Sequence, residues 1–169
     1  KFKIIICGDP SVGKSSLILR FTNNAFRRHY IPTLGVNVSD KIFKVEESYI
    51  QLVLWDIAGQ QKFQTMRQQF YLGSDGIFLI FDLSKPSSLD SISKWYVDIR
   101  NQLEDRPALT GYIIGNKKDI SQSLESTSNE GSDLASSFNL GYIETSAKTG
   151  ENVEYAFSTI AKSLYDSLQ

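Results

Sequence analysis

The sequence predicts a doubly wound α/β sandwich, and two observations carry that expectation. Short apolar runs alternate with amphipathic stretches from end to end of the chain. The runs are apolar at successive positions, as in strands of a mainly parallel sheet covered by helices on both faces.

In chain order, the strand-like runs are Phe2–Cys7 and residues 51–55, 76–81, 111–114 and 141–143. Residues 36–45 and 49–55, separated by Glu46, Glu47 and Ser48, read as an antiparallel hairpin at the sheet edge. Helical spacing appears between the runs. Leu89, Ile92, Tyr96, Ile99 and Leu103 step by three and four, as do Val153, Phe157, Ile160, Leu164 and Leu168. The polar stretch 121–137 reads as a loop and then a short helix, with Thr127 and Glu130 at capping-box spacing. No internal repeat is visible, and 169 residues suit one domain, 1–169.

Composition narrows the function classes. Hydrophobic residues are 41% and charged residues 22%, the balance of a water-soluble globular chain. A net charge of −1 supplies no global basic field for nucleic acid or an anionic membrane. No apolar run is long enough to span a bilayer, and no signal peptide is visible. Cys7 is the single cysteine and His29 the single histidine, which excludes an internal disulfide, a multi-histidine metal site and a zinc cluster. Cys7 follows three isoleucines and is expected to be a buried strand residue, which fits a reducing, cytoplasmic setting. The start at Lys1 rather than Met suggests trimmed ends.

The first chemical motif is GDPSVGKSS, from Gly8 to Ser16, which has the frame G-x-x-x-x-G-K-[ST] between a predicted strand and a predicted helix. Glycines there allow close backbone approach, and successive N–H groups form a nest at a helix N-terminus that suits phosphate. Pro10 has no N–H. It sits at the outer bend, before the donors Ser11, Val12, Gly13, Lys14, Ser15 and Ser16. Lys14 is placed to reach β- and γ-phosphates, and the Ser15 hydroxyl to ligate Mg²⁺. Taken by itself, this loop points to a nucleoside triphosphate without choosing ATP or GTP.

Two further motifs bear on the base. Asn116-Lys117-Lys118-Asp119 directly follows a predicted strand, where loops line the ligand crevice of an α/β sheet. An aspartate at such a place can accept from both the N1–H and the amino group of guanine, a donor pair adenine lacks. A site built on such bonds rejects the analogue without them by roughly 10⁴-fold or more in good cases. Ser146-Ala147-Lys148 follows another apolar run and can present the Ala147 N–H to a guanine carbonyl.

These residues resemble the Ras superfamily of small GTPases, and most closely its Rab branch. The phosphate loop, Thr33, Asp56-Ile57-Ala58-Gly59-Gln60, the Asn116–Asp119 motif and Ser146-Ala147-Lys148 stand in the family's order and spacing. WDIAGQQKF and ETSAKTGENVEYAF are close to Rab wording, and TLGVNV is a looser version of the segment after the switch threonine. The resemblance implies a P-loop NTPase G domain: a mainly parallel six-stranded sheet with one antiparallel edge strand, flanked by about five helices. It implies GTP and GDP as ligands, with Mg²⁺. Phe26 would meet the guanine edge-on. Tyr30, Pro32 and Thr33 would belong to a first switch, with Thr33 ligating Mg²⁺ and donating its N–H to the γ-phosphate. Asp56 would hold Mg²⁺ through a water, the Gly59 N–H would sense the γ-phosphate, and Gln60 would orient the attacking water. Thr33 and Gly59 would be tied down only while a third phosphate is present, which makes a switch.

The expected activity is therefore a guanine-nucleotide switch of Rab-like, membrane-trafficking type that hydrolyses GTP slowly. Arg27 and Arg28 lie well before Thr33, so no arginine is placed to offset transition-state charge from within the chain. A finger arginine is worth roughly 10³–10⁵ in rate, and a partner would have to supply it. Two other readings remain: a nucleotide-binding interaction module with negligible hydrolysis, and a P-loop ATPase. Regulators and effectors are expected on residues 31–38 and 61–71, where Phe63, Met66, Phe70 and Tyr71 divide between core and partner-facing roles. The expected form is a monomer, cytoplasmic or on the cytosolic face of membranes, although no cysteine near Gln169 offers a lipidation site in this chain.

Overall fold

A computed structural model describes residues 1–22, 28–31, 35–59, 64–106, 108–120 and 125–169; at 28–31, 64 and 125–126 it describes the backbone course only. The strands are β1 (Phe2–Cys7), β2 (Arg28–Ile31), β3 (Val36–Val45), β4 (Ser48–Ile57), β5 (Gly76–Asp82), β6 (Thr110–Asn116) and β7 (Gly141–Glu144). The helices are α1 (Lys14–Thr22), α2 (Gln64–Tyr71), α3 (Pro86–Asp90), α4 (Ile92–Gln102), α5 (Glu125–Ser137) and α6 (Val153–Asp166).

The sheet order is β2-β3-β4-β1-β5-β6-β7. β1 pairs parallel with β4 and β5, and β6 continues the parallel run to β7. β3 alone runs against the others. It forms the expected hairpin with β4, and the register Val45↔Ser48 closes it through Glu46 and Glu47. The predicted six-stranded sheet is thus present, and the short β2 extends it by pairing antiparallel to β3. α3 and α4 together carry the predicted stripe from Leu89 to Ile99, interrupted only at Ser91, and Leu103 follows as the buried residue just past the end of α4.

Alternation along the central strands builds two cores. Ile4 and Ile6 face one side with Leu17, Phe21, Leu54, Phe78 and Phe157. Ile5 and Cys7 face the other with Ile57, Tyr71, Leu79, Phe81, Ile92 and Ile99. Both faces of β1 and β5 are therefore covered, which is why their sequences read as unbroken apolar runs. Cys7 is fully buried as expected, and burial pushes its thiol pKa well up.

Two expectations need correction. α5 has thirteen residues rather than being short, and Thr127 lies inside its first turn, only 4% exposed. A buried, helical Thr127 packs rather than caps. The stripe of the last helix also ends early: α6 stops at Asp166, and Leu168 is 72% exposed beyond it.

Phe157 joins α6 to the sheet. Its ring stacks on Phe21 with centroids 4.0 Å apart and meets Phe78 edge-on at 5.2 Å. Phe157→Ala should lower stability by about 3–5 kcal/mol. Urea unfolding followed by circular dichroism should show a lower midpoint with an unchanged slope.

Candidate functional site

Every loop that carries a motif leaves a strand at the same edge of the sheet. The phosphate loop follows β1, Ala58 and Gly59 follow β4, Asn116 ends β6, and Ser146 follows β7. In an open α/β sheet that carboxyl edge, at the strand where the order reverses, is where ligands bind.

Close packing fixes the phosphate loop. A Cβ on Gly8 would fall 2.2 Å from the Ile80 carbonyl oxygen of β5. Gly13 has φ +96°, and a Cβ there would fall 2.4 Å from Asn116 Nδ2. Ser11 also lies in the left-handed region, with φ +69°, which turns successive N–H groups toward one side. Pro10 precedes it and packs against Gly59, whose added Cβ would lie 2.9 Å from both Pro10 Cδ and Pro10 N. The proline thus stiffens the bend and leaves the N–H groups from Ser11 to Ser16 as donors. Val12 is buried, while Ser11 and Ser16 are exposed.

Lys14 is only 8% exposed. Its ammonium donates to the carbonyls of Gly8 at 2.9 Å and Asp9 at 3.1 Å. Burial pushes its pKa below the ordinary lysine value, and the Asp56 carboxylate pulls in the opposite direction. Among the described residues, no carboxylate makes an ion pair with it. A cation held among carbonyl oxygens out of water is stabilised by an anion brought beside it.

Ser15 and Asp56 meet in the same place, with the Ser15 hydroxyl donating to Asp56 Oδ2 at 2.5 Å. A hydroxyl and a carboxylate are the oxygen donors a hard divalent cation takes, so the residues present fit Mg²⁺. A cavity of about 370 Å³ opens between these two, Lys14 and Gly59. Asn37, which the sequence reading passed over, also lines it. Asn37 is opposite Asp56 in the β3–β4 register, and its buried Oδ1 accepts no hydrogen bond among the described residues. TLGVNV contains Asn37 but gives its side chain no role; its pairing opposite Asp56 brings it to the site.

The base motifs do more than face a ligand. Asn116 is 1% exposed. Its Nδ2 donates to the Val12 carbonyl at 3.0 Å, and its Oδ1 accepts from Thr145 Oγ1 at 3.0 Å and the Ala147 N–H at 3.3 Å. Lys117 has φ +65°, and its ammonium reaches back to the Ser11 carbonyl at 2.7 Å and Asp82 Oδ2 at 3.0 Å. Burial raises the Asp82 pKa, but hydrogen bonds from Ser84 and Lys117 outweigh it and hold the carboxyl below its ordinary value. Asp119 is exposed at the rim, and its Oδ1 accepts from Ser146 Oγ at 2.7 Å. Lys148 is exposed beside it. The phosphate loop, the Asn116–Asp119 motif and the Ser146–Lys148 motif are thus one bonded unit.

Phe26, Pro32, Thr33 and Gln60 lie outside the described residues, as do Gln61, Lys62 and Phe63. Tyr30 lies on β2 opposite Asn37; its side chain is not among those described. Of the apolar residues on α2, Tyr71 is fully buried, Phe70 packs on Trp55 at 5.7 Å, and Met66 is 39% exposed.

A family model described as Ras family matches residues 3–166. The chain belongs to the Ras family. Among its relatives, Ras-related protein Rab-1 of Theileria parva is 40% identical over 168 residues, spanning 99% of this chain and 76% of that protein. The GTP-binding protein ypt1 of Schizosaccharomyces pombe is 34% identical, spanning 99% and 81%. Ras-related protein Rab-8A of Pongo abelii is 35% identical, spanning 96% and 78%. This Ras-family chain is of the Rab branch, a GTP-dependent switch and GTP hydrolase that uses GTP and GDP with Mg²⁺. Family membership also brings regulators and effectors in general.

Asn116→Ala should strand the Val12 carbonyl and the Thr145 hydroxyl, at about 1–3 kcal/mol for each buried partner. Thermal unfolding should show a lower midpoint, and GDP titration a loss of affinity in the same variant.

Proposed function

We propose that residues 1–169 form one G domain that works as a slow switch in Rab-like membrane traffic, with its chemistry divided among named residues. The buried Lys14 ammonium, set among carbonyls and without an ion-paired carboxylate among the described residues, carries this reading. It takes the β- and γ-phosphates, together with the N–H groups from Ser11 to Ser16. Ser15, Thr33 and Asp56 hold Mg²⁺, which when bound neutralises charge on the phosphate oxygens. Gly59 donates its N–H to the γ-phosphate, and Gln60 orients the attacking water. Thr33 and Gly59 are then the two points released when that phosphate leaves.

Base selection falls to Asp119, with the Ala147 N–H, Asn116, Lys117, Ser146 and Lys148 shaping its loop, with Phe26 meeting the guanine edge-on, and with Tyr30 in the first switch. Asp119 suits this task because its carboxylate is exposed at the rim while Ser146 fixes its orientation. Partners that read the nucleotide state would dock on residues 31–38 and 61–71, and one of them would supply the arginine this chain does not place near Thr33. Among the described residues, no helix is long and apolar enough to cross a membrane. The working form is a monomer in the cytoplasm or on the cytosolic face of a membrane.

Two measurements test the division of labour. Phosphoryl transfer is catalysed mainly by positioning and charge stabilisation, so Gln60→Leu should slow single-turnover GTP hydrolysis by about 10-fold or more while GTP still binds. Equal rates would remove Gln60 from the mechanism. In calorimetric titration, Asp119→Asn should weaken GTP and GDP binding by roughly 10²-fold or more without improving ATP. Wild-type protein that bound ATP as tightly as GTP would refute the base assignment.

A further inference from the structure

Trp95 stands between two parts of the site that are remote in the chain. It lies on α4 and is 6% exposed. Its Nε1–H donates to Asp9 Oδ1, in the phosphate loop, at 3.2 Å. The Arg67 guanidinium, on α2, lies over its ring 4.6 Å from the centroid. An indole is positive at its edge and negative on its face. A carboxylate at the edge and a guanidinium on the face therefore suit the ring in the same sense, and each contact favours the other.

One end of this bridge reaches the reacting region. The Asp9 carbonyl accepts from Lys14, and the next residue, Pro10, packs on Gly59. At the other end, Gln68 and Tyr71 of α2 donate to the two oxygens of Asp98 on α4, at 3.0 and 2.8 Å. A cavity of about 720 Å³ opens among Asp9, Gly59, Arg67, Trp95 and Asp98. α2 and α4 meet through these side chains and share the apolar cluster that holds Tyr71, Ile92, Trp95 and Ile99. Of those contacts, the one through Trp95 also touches the phosphate loop.

We propose that Trp95 is a positioning residue for GTP hydrolysis: it fixes the phosphate-loop bend relative to α2, and through the bend the place of Gly59. The proposal rests on the role given above to Gly59. Trp95 touches neither nucleotide nor metal in this scheme, so its removal acts on rate rather than on affinity.

The experiment is single-turnover hydrolysis, with GDP affinity measured on the same proteins. Trp95→Phe keeps a ring for Arg67 and deletes the N–H. Asp9→Ala deletes the acceptor, and Asp9→Asn keeps an oxygen at Oδ1. Loss of one positioning hydrogen bond should slow hydrolysis about tenfold in Trp95→Phe and in Asp9→Ala, with GDP affinity retained. Asp9→Asn should recover most of the rate lost in Asp9→Ala, and the double variant should be no slower than either single one. Additive losses, an Asp9→Asn rate as low as that of Asp9→Ala, or affinity falling in step with rate would overturn the proposal.

Fluorescence supplies an independent readout. The chain has two tryptophans, so Trp55→Phe leaves Trp95 as the single emitter. Its emission should differ between the GDP complex and a complex with a non-hydrolysable GTP analogue, and Asp9→Ala should abolish the difference. Identical spectra in the two complexes would refute the coupling. The emission change should persist in Gln60→Leu, so a wrong role for Gln60 and a wrong role for Trp95 give different results.

Discussion

One side chain amide holds the nucleotide edge together. Asn116 donates to the phosphate loop and accepts from the loop after β7, while its own backbone ends β6. An amide is suited to this because it carries a donor and an acceptor on one rigid plane. An aspartate would face the Val12 carbonyl with a second acceptor, and a leucine would offer neither group. With Asn116 in place, Gly13 must be glycine, because a Cβ there would occupy the position of the amide nitrogen. Asn116, read from sequence as part of the motif in which Asp119 selects the base, thus also ties the phosphate loop to the loop after β7.

The site keeps charge out of water. Lys14 and Asp56 are each 8% exposed, and Asp82 is 1% exposed beneath Lys117. Burying such groups is unfavourable unless partners compensate. Asp82 has compensation from Ser84 and Lys117, and its lowered pKa records the net result. Among the described residues Lys14 bonds to carbonyl oxygens only, and burial holds its pKa below the ordinary lysine value. The contrast separates the Lys117–Asp82 ion pair from a buried lysine that has no ion-paired carboxylate among the described residues.

The sequence made the parallel sheet legible because strands buried on both faces show as unbroken apolar runs, and β1, β5 and β6 have that pattern. The phosphate loop and the two base motifs were legible because their chemistry is local: each spans a few consecutive residues. What stayed hidden depends on contacts remote in sequence. Asn37 reaches the site only through its register with Asp56, and Trp95 only because α4 packs beside the phosphate loop. Thr127 misled because capping-box spacing is a weak local signal, while burial of its side chain is a tertiary fact. Leu168 misled because its spacing continued past the end of the helix that gave that spacing meaning.

Cys7 has a practical consequence. The thiol is wholly enclosed between β4, β5 and the helices on its face, and burial disfavours its thiolate. Thiol chemistry proceeds through the thiolate and needs access, so maleimide dyes and spin labels will pass this residue by in the folded protein. As the sequence holds no other cysteine, one cysteine introduced on the exposed side of α2 or α4 becomes a unique attachment point, and distances between such labels can be followed without first removing a native thiol.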